Sequence, residues 1–292
     1  MYQGSYVAIV TPFKDDALDE KGLRENIRFL ITKGSNGIVA CATTGECPSL
    51  SDDEYEKVIR IAQEETEGKV PLIAGAGTNS TTKTVNLVKK AASFGAQGVL
   101  VVTPYYNKPT QQGLFEHYRR VSQESSVPII VYNVPSRTGC NILPGTVARL
   151  RESCDNIVGI KAASGSLDQV SEVRRLCGEK FDILSGDDSL TFPMLAVGAR
   201  GTISVVANIL PAEVSMMCTL FLEGKTEEAR DIHLKMFPVI KALFLETNPI
   251  PVKKALELMG MAAGKPRLPL VEMSKENTSI LKKALIDNGI EL

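Results

Sequence analysis

Eight short, nearly continuous apolar runs recur along this chain, and each is followed by a stretch of helical period. The runs are 6–11 (YVAIVT), 37–42 (GIVACA), 70–75 (VPLIAG), 97–103 (QGVLVVT), 127–132 (VPIIVY), 156–161 (NIVGIK), 181–185 (FDILS) and 201–206 (GTISVV). Continuous rather than alternating hydrophobicity suits strands buried on both faces, as in a parallel sheet. The helical patterns fall near 20–33, 51–66, 80–94, 111–125, 144–152, 166–177, 188–197 and 211–223. Ser51 ahead of Asp52-Asp53-Glu54, and Ser166 ahead of Leu167-Asp168, are helix start signals. Gly34, Gly95 and Gly198 close helices before the next strand. Eight β/α units in about 225 residues predict an α/β fold of the (β/α)8 TIM barrel type.

The competing architecture is an open doubly wound sheet. It wants a G-x-G-x-x-G turn after a strand, and the nearest match, Gly75-Ala76-Gly77-Thr78-Asn79-Ser80, ends in serine. Gly224-Lys225-Thr226 has the tail of a P-loop, but Thr219 stands where its first glycine belongs. From 226 the rhythm changes. Stretches 226–246, 250–260 and 274–288 look helical with no strands between them. The expected division is therefore a barrel over 1–225 and a three-helix C-terminal extension over 226–292.

Composition removes several chemistries. Lys plus Arg total 33 against 34 for Asp plus Glu, a net charge of −1. That balance argues against a nucleic-acid binder or a polybasic membrane-surface protein, and no apolar run approaches the ~20 residues of a membrane span. Met1-Tyr2-Gln3-Gly4-Ser5 has no basic stretch of the kind that opens a signal peptide. Cys41, Cys47, Cys140, Cys154, Cys177 and Cys218 show no C-x-x-C spacing and read as the reduced thiols of a cytoplasmic protein. The only histidines are His117 and His233, so neither a multi-histidine zinc site nor an H-E-x-x-H helix can be built. There is no G-x-S-x-G elbow for a serine triad. Chemistry here falls to Lys, Tyr, Thr, Arg or carboxylates.

Barrels of this kind carry their reactive groups where strands run into loops at the C-terminal face. Those places read Thr11-Pro12, Thr43-Thr44-Gly45-Glu46, Thr103-Pro104-Tyr105-Tyr106-Asn107, Tyr132 to Gly139, Lys161, and Gly186-Asp187-Asp188. Lys161 closes an otherwise apolar strand. A lysine facing a barrel mouth loses hydration, which favours the neutral amine that attacks carbonyls; a strand-end lysine also snorkels to water. Tyr132 could relay protons beside it, or be an amphipathic core edge. The Thr43-Thr44-Gly45 turn suits a carboxylate and is equally ordinary turn chemistry. Arg137 could clamp a second carboxylate or be a solvated loop charge. Asp187-Asp188 suits a metal pair less well than it suits the acidic start of the next helix.

These residues carry a family resemblance. T-T-G-E at 43–46 and Y-N-x-P-x-x-T-G at 132–139 resemble the pyruvate-dependent aldolases, a superfamily that also holds N-acetylneuraminate lyase. T-P-Y-Y-N-K-P at 103–109, the arginine of V-P-S-R-T-G and N-P-I-P-V-K at 248–253 are similar to its dihydrodipicolinate synthase branch. The likeness runs from Gly4 to the C-terminus. It implies a Schiff base between Lys161 and pyruvate, proton relay by Tyr132, and Thr43 linking Tyr132 to Tyr106, a tyrosine that reaches in from a neighbouring subunit. It also implies that the Thr43 and Thr44 amides hold the pyruvate carboxylate, that Arg137 binds aspartate semialdehyde, and that Gly186 and Ile203 line the pocket. Neither metal nor cofactor is implied. A cytoplasmic homotetramer, a dimer of dimers, is.

Two positions depart from the family pattern: Ala162 stands where a glutamate follows the lysine, and Ala42 where a glycine precedes T-T-G-E. The resemblance also places Cys47, Pro48, Asp52, Tyr55, Asn79, Lys83 and Tyr105 at the cleft where sensitive relatives bind L-lysine. Lys83 replaces a glutamate there, and Asp52 and Tyr55 replace histidines, so feedback inhibition is expected to be weak or absent. Two competing functions share part of the pattern. One is an aldolase for sialic acid or 2-keto-3-deoxy sugar acids, whose polyol substrates do not call for Arg137. The other is a barrel that binds a keto acid without turnover, against which Lys161, Tyr132, Thr43 and Tyr106 together argue.

Overall fold

The structure is a computed structural model, and it describes residues 2–292. Strand β1 (Gly4–Ala8) is followed by a small antiparallel hairpin, β2 (Phe13–Lys14) with β3 (Ala17–Leu18). Then come β4 (Gly37–Ala40), β5 (Leu72–Gly75), β6 (Gly98–Val102), β7 (Ile129–Asn133), β8 (Ile157–Ala162), β9 (Asp182–Ser185) and β10 (Gly201–Ser204). All but the hairpin are parallel, and β1 pairs with both β4 and β10, so the sheet closes into an eight-stranded barrel. The expected TIM barrel is the observed one.

The helices between the strands begin where small polar side chains take up free amides. Ser51 makes a reciprocal capping box with Glu54 at the start of α2 (Asp52–Thr66). Asp19, Ser80, Thr110 and Ser166 do one-sided versions of this for α1 (Glu20–Thr32), α3 (Thr81–Ser93), α4 (Gln111–Glu124) and α7 (Leu167–Cys177). Each such cap is worth about 1 kcal/mol. The short α5 (Pro135–Thr138), then α6 (Pro144–Ser153), α8 (Thr191–Ala196) and α9 (Pro211–Leu222) complete the ring. Three further helices come after it, α10 (Thr226–Ala242), α11 (Ile250–Leu258) and α12 (Lys275–Asp287). No helix among the described residues is long and apolar enough to cross a membrane.

Alternation along each strand sorts side chains into two cores. On β7, Ile129 and Val131 pack outward under the helices, while Ile130 and Tyr132 fill the barrel with Val39, Leu100, Leu184 and Ile203. On β8 the alternation slips. Ile157 pairs with Ile129, but Gly159 pairs with Ile130, so Val158 is an extra residue. A bulge of this kind re-aims the side chains beyond it. Past the bulge, Ile160 and Ala162 belong to the outer core and Lys161 faces inward beside Tyr132.

The sequence reading differs from the structure at several places. The first strand is Gly4–Ala8 rather than 6–11. Ile9 N–H still donates to Val39 O of β4 at 3.1 Å, but the buried Val10 has left the sheet and its N–H donates to the Asn208 side chain at 3.3 Å. The stretch 188–197 splits into a 3-10 turn, Asp188–Leu190, and the short α8. Asp187 and Asp188 do open that 3-10 turn, Asp187 as its cap and Asp188 as its first residue; the Asp188 carboxylate also accepts from the Val205 and Val206 amides, both at 2.9 Å, and burial raises its pKa. The hairpin β2–β3 and the turn of α5 have no counterpart in the sequence pattern, and α10 stops at Ala242 rather than 246.

Candidate active site

Lys161 is the second-last residue of β8 and pairs with Tyr132 across the β7–β8 ladder. It is 4% exposed. Its Nζ stands 4.4 Å from the centre of the Tyr132 ring, and it has neither an ion pair nor a hydrogen bond among the described residues. Gly186 lies just beyond β9 and packs against the stem of this lysine. A Cβ there would lie 3.0 Å from both Lys161 Cγ and Cε and 2.8 Å from Ala163 Cβ. Glycine at 186 is thus what gives the lysine its room. Ile203 lies in the same inner cluster as Tyr132.

Of these residues Tyr132 also lines a cavity of about 510 Å³, together with Thr43, Arg137 and Asn248 among others. One wall is the turn after β4. Cys41 and Glu46 bracket it, each with φ of 52°, in the left-handed region that disfavours non-glycine residues. Backbone of this sort costs of order 1–3 kcal/mol per residue and persists where the surroundings over-determine it. Inside the turn, the Gly45 and Cys47 amides donate to Ala42 O, and the Glu46 amide donates to Thr43 O. The amides of Thr43 and Thr44 have no acceptor among the described residues. Free adjacent N–H groups of this kind suit an anion. Burial pushes the Cys47 thiol up to about 11 and raises Cys41 well above the usual range. Both remain protonated near neutrality and are poor nucleophiles.

The rest of the lining comes from α5 and from the segments that flank α11. Arg137 Nη2 donates to the Asn248 carbonyl at 3.1 Å. The Asn248 side chain donates to Thr44 Oγ1, also at 3.1 Å, so one residue ties the arginine to the turn. Five residues on, Lys253 is 1% exposed, and its ammonium sits 2.6 Å from Glu46 Oε1, itself 2% exposed. Desolvation lowers the Lys253 pKa, and Glu46 opposes that shift. Arg267 completes the wall with a bidentate contact to Glu54 at 2.6 and 2.8 Å. This guanidinium holds Glu54 down to about 2.

The structure thus gathers Lys161, Tyr132, Gly186 and Ile203 in the barrel interior and sets Thr43 and Arg137 on the cavity wall, with Thr44 buried. Tyr106 is the exception. It is 88% exposed, with φ of 72°, and does not line the cavity of its own chain; Tyr105 does. Lys253 and Arg267 do not stand out from sequence as site residues. The signal for Lys253 is present, a lysine after the apolar run Ile250-Pro251-Val252. Arg267 sits in an irregular segment with no period to betray it. Asp187 is spent capping the Ser189 amide at 3.0 Å, and no cluster of three or more metal-type ligands occurs among the described residues.

Residues 1–287 match the Dihydrodipicolinate synthetase family. The chain is 51% identical over 290 residues to the 4-hydroxy-tetrahydrodipicolinate synthase of Geotalea uraniireducens, covering 99% of this chain and 100% of that protein. Among solved structures it resembles the dihydrodipicolinate synthase of Aquifex aeolicus, with a TM-score of 0.98 at 47% identity over 100% of this chain and 99% of the other. A monomeric dihydrodipicolinate synthase variant matches with a TM-score of 0.97 at 45% identity, over 99% and 97% of the two chains.

Proposed function

The chain belongs to the dihydrodipicolinate synthetase family, and on that premise we propose how it works as a 4-hydroxy-tetrahydrodipicolinate synthase, a lyase of lysine and diaminopimelate biosynthesis. It condenses pyruvate with L-aspartate-4-semialdehyde to give 4-hydroxy-tetrahydrodipicolinate. The observation that carries the chemistry is Lys161, a buried amine with no partner, held against Tyr132 beside a cavity.

The neutral amine adds to the pyruvate ketone, and the resulting carbinolamine loses water to form an imine. Tyr132, linked through Thr43 to Tyr106, supplies the proton for the leaving hydroxyl and accepts one in return. The protonated imine withdraws electrons, a methyl proton leaves, and the enamine carbon attacks the aldehyde. The amino group of the second substrate then displaces Lys161 as the ring closes, which returns the free amine. The Thr43 and Thr44 amides hold the pyruvate carboxylate, Arg137 holds that of the aldehyde, and Gly186 and Ile203 shape the pocket floor.

Residues 1–225 serve as the catalytic barrel and 226–292 as a helical extension that shapes its mouth. The working enzyme is a cytoplasmic homotetramer built from dimers, in which Tyr106 enters the partner's site; its 88% exposure in the single chain suits that role. The experiment is to treat the protein with pyruvate and borohydride and read the intact mass. A reduced pyruvate adduct, absent from Lys161→Ala, is expected. Turnover with aspartate semialdehyde but not with N-acetylmannosamine separates this reading from the sugar-acid aldolases. An adduct that persists in Lys161→Ala overturns the assignment.

A further inference from the structure

We propose that the Glu46–Lys253 ion pair is the positioning device of the carboxylate site, fixing the 41–47 turn so that the Thr43 and Thr44 amides face the ligand. The inference rests on the reading of that turn as the seat of the pyruvate carboxylate. A turn that carries two left-handed non-glycine residues needs an anchor at each end. At its near end, Cys41 continues directly from β4. At its far end, Glu46 has both carboxylate oxygens taken by a distant part of the chain. Oε1 accepts from Lys253 Nζ at 2.6 Å and Oε2 from the Arg267 amide at 2.9 Å.

The cation grips the turn a second time. Lys253 Nζ also donates to the Thr11 carbonyl at 3.2 Å and to the Lys265 carbonyl at 3.3 Å. The Thr11 hydroxyl in turn donates to the Gly45 carbonyl at 2.7 Å. Space at Gly45 is tight, since a Cβ there would come within 3.2 Å of Ile9 O and of Thr11 Oγ1. Turn, Thr11 and Lys253 therefore form one closed circuit with no slack. A buried ion pair is a weak source of stability compared with apolar packing of the same volume. What this one supplies is direction. It sets where Glu46 lies, and through the turn it sets where two unpaired amides point. Glu46 and Lys253 touch no substrate in this scheme; they act through Thr43 and Thr44.

A positioning role predicts a loss confined to the carboxylate. The test compares pyruvate with pyruvamide, which offers the same ketone without the charge. Imine formation at Lys161 is trapped with borohydride across a concentration series of each ketone. Two variants are used, Glu46→Asp, which shortens the anchor by one methylene, and the uncharged pair Glu46→Gln/Lys253→Met. In both, half-saturation by pyruvate should rise by about tenfold or more, the worth of a charge-assisted hydrogen bond. Half-saturation by pyruvamide should move less than about twofold on the same scale. The rate at saturating pyruvate should change little, giving a KM effect without a kcat effect. Equal changes for the two ketones, or no change for either, overturn the proposal and leave the pair a structural brace. A wild-type enzyme that traps neither ketone would instead overturn the role of Lys161, which is a separate failure.

Discussion

Two lysines are buried in this protein, and they have opposite surroundings. Lys161, in the mouth of the barrel, is 4% exposed and has no charged or hydrogen-bonding partner among the described residues. Lys253, in the seam between the barrel and α11, is 1% exposed and holds Glu46 and two carbonyls. Each ammonium lies 4.4 Å from the centre of an aromatic ring, Tyr132 for one and Phe13 for the other. Burial and an aromatic neighbour are thus common to both. What separates a candidate nucleophile from a structural cation is the counter-ion. A buried charge with a full set of partners holds its neighbours in place, and removing one member leaves the other uncompensated.

The sharpest break of this comparison is to remove each amine. Lys161→Ala should lower kcat/KM by at least about a thousandfold, as loss of a covalent nucleophile does, and should shift stability by less than about 1 kcal/mol. Lys253→Met should do the reverse in stability, costing about 3–5 kcal/mol because Glu46 is left buried and unpaired. Urea unfolding of the two variants beside wild type reads both halves. If Lys161→Ala is the more destabilised, the division between the two lysines is wrong.

Gly186→Ala is a smaller change aimed at the same amine. The new Cβ would crowd Lys161 Cγ and Cε at 3.0 Å and displace the amine. A fall of about tenfold to a hundredfold in kcat is expected, the scale of an ångström of misplacement. Steady-state rates and the yield of the trapped adduct should fall together. An unchanged rate would mean the stem of Lys161 has room that the glycine was not needed to provide.

His117 calibrates what burial without a charged partner does elsewhere in the fold. Its Nδ1 lies 3.0 Å from the Thr81 hydroxyl, while Nε2 has no partner, and burial pushes its pKa down from 6.5 to about 4. A depressed folded value means the unfolded chain takes up the proton first as pH falls. Stability from this group is therefore whole above pH 6.5 and is lost between there and about pH 4. The loss should be about 3 kcal/mol relative to a His117→Gln variant, read as the difference in urea midpoints at pH 7.5 and pH 4. Parallel pH profiles of wild type and variant would refute it.

The smallest expected effect concerns an exposed amine. On the family resemblance, Lys83, at the start of α3, and Asp52, paired to Lys90 at 2.7 Å, are expected to stand where sensitive relatives bind free L-lysine. The Tyr55 hydroxyl is also spent, on the Gly75 carbonyl at 2.8 Å. A lysine titration at saturating pyruvate should give no half-inhibition below about 1 mM on the usual affinity scale. Half-inhibition under that concentration would show that the cleft still holds an ammonium group.

The sequence is most legible where period and chemistry coincide. The strands of the barrel stand out because continuous apolar runs have one parallel-sheet explanation, and Lys161 stands out because it interrupts such a run. Ile9 and Val10 mislead for the same reason: they are apolar for burial beyond the end of β1, which local pattern cannot tell from burial in a sheet. The hold of Lys253 on Glu46 spans 207 residues, and no local rule reaches that far. Asn248 carries a motif but not its meaning, since its two partners, Thr44 and Arg137, come from the turn after β4 and from α5.

The extra residue in β8 has a consequence for anyone who would transplant this chemistry. Strand residues come in odd and even, and Val158 inverts the parity of everything after it. Counted from Ile157 on an unbroken strand, position 161 would share the outward side with Ile157. A designer who copied the segment residue for residue onto a regular barrel strand would therefore deliver the amine to the helix layer, where no ketone can arrive. A graft that leaves Val158 out should keep the amine at the mouth, because the shortened count restores the parity the bulge supplies here. The address of the amine is written three residues upstream of it, in a valine that itself only packs against the inner core.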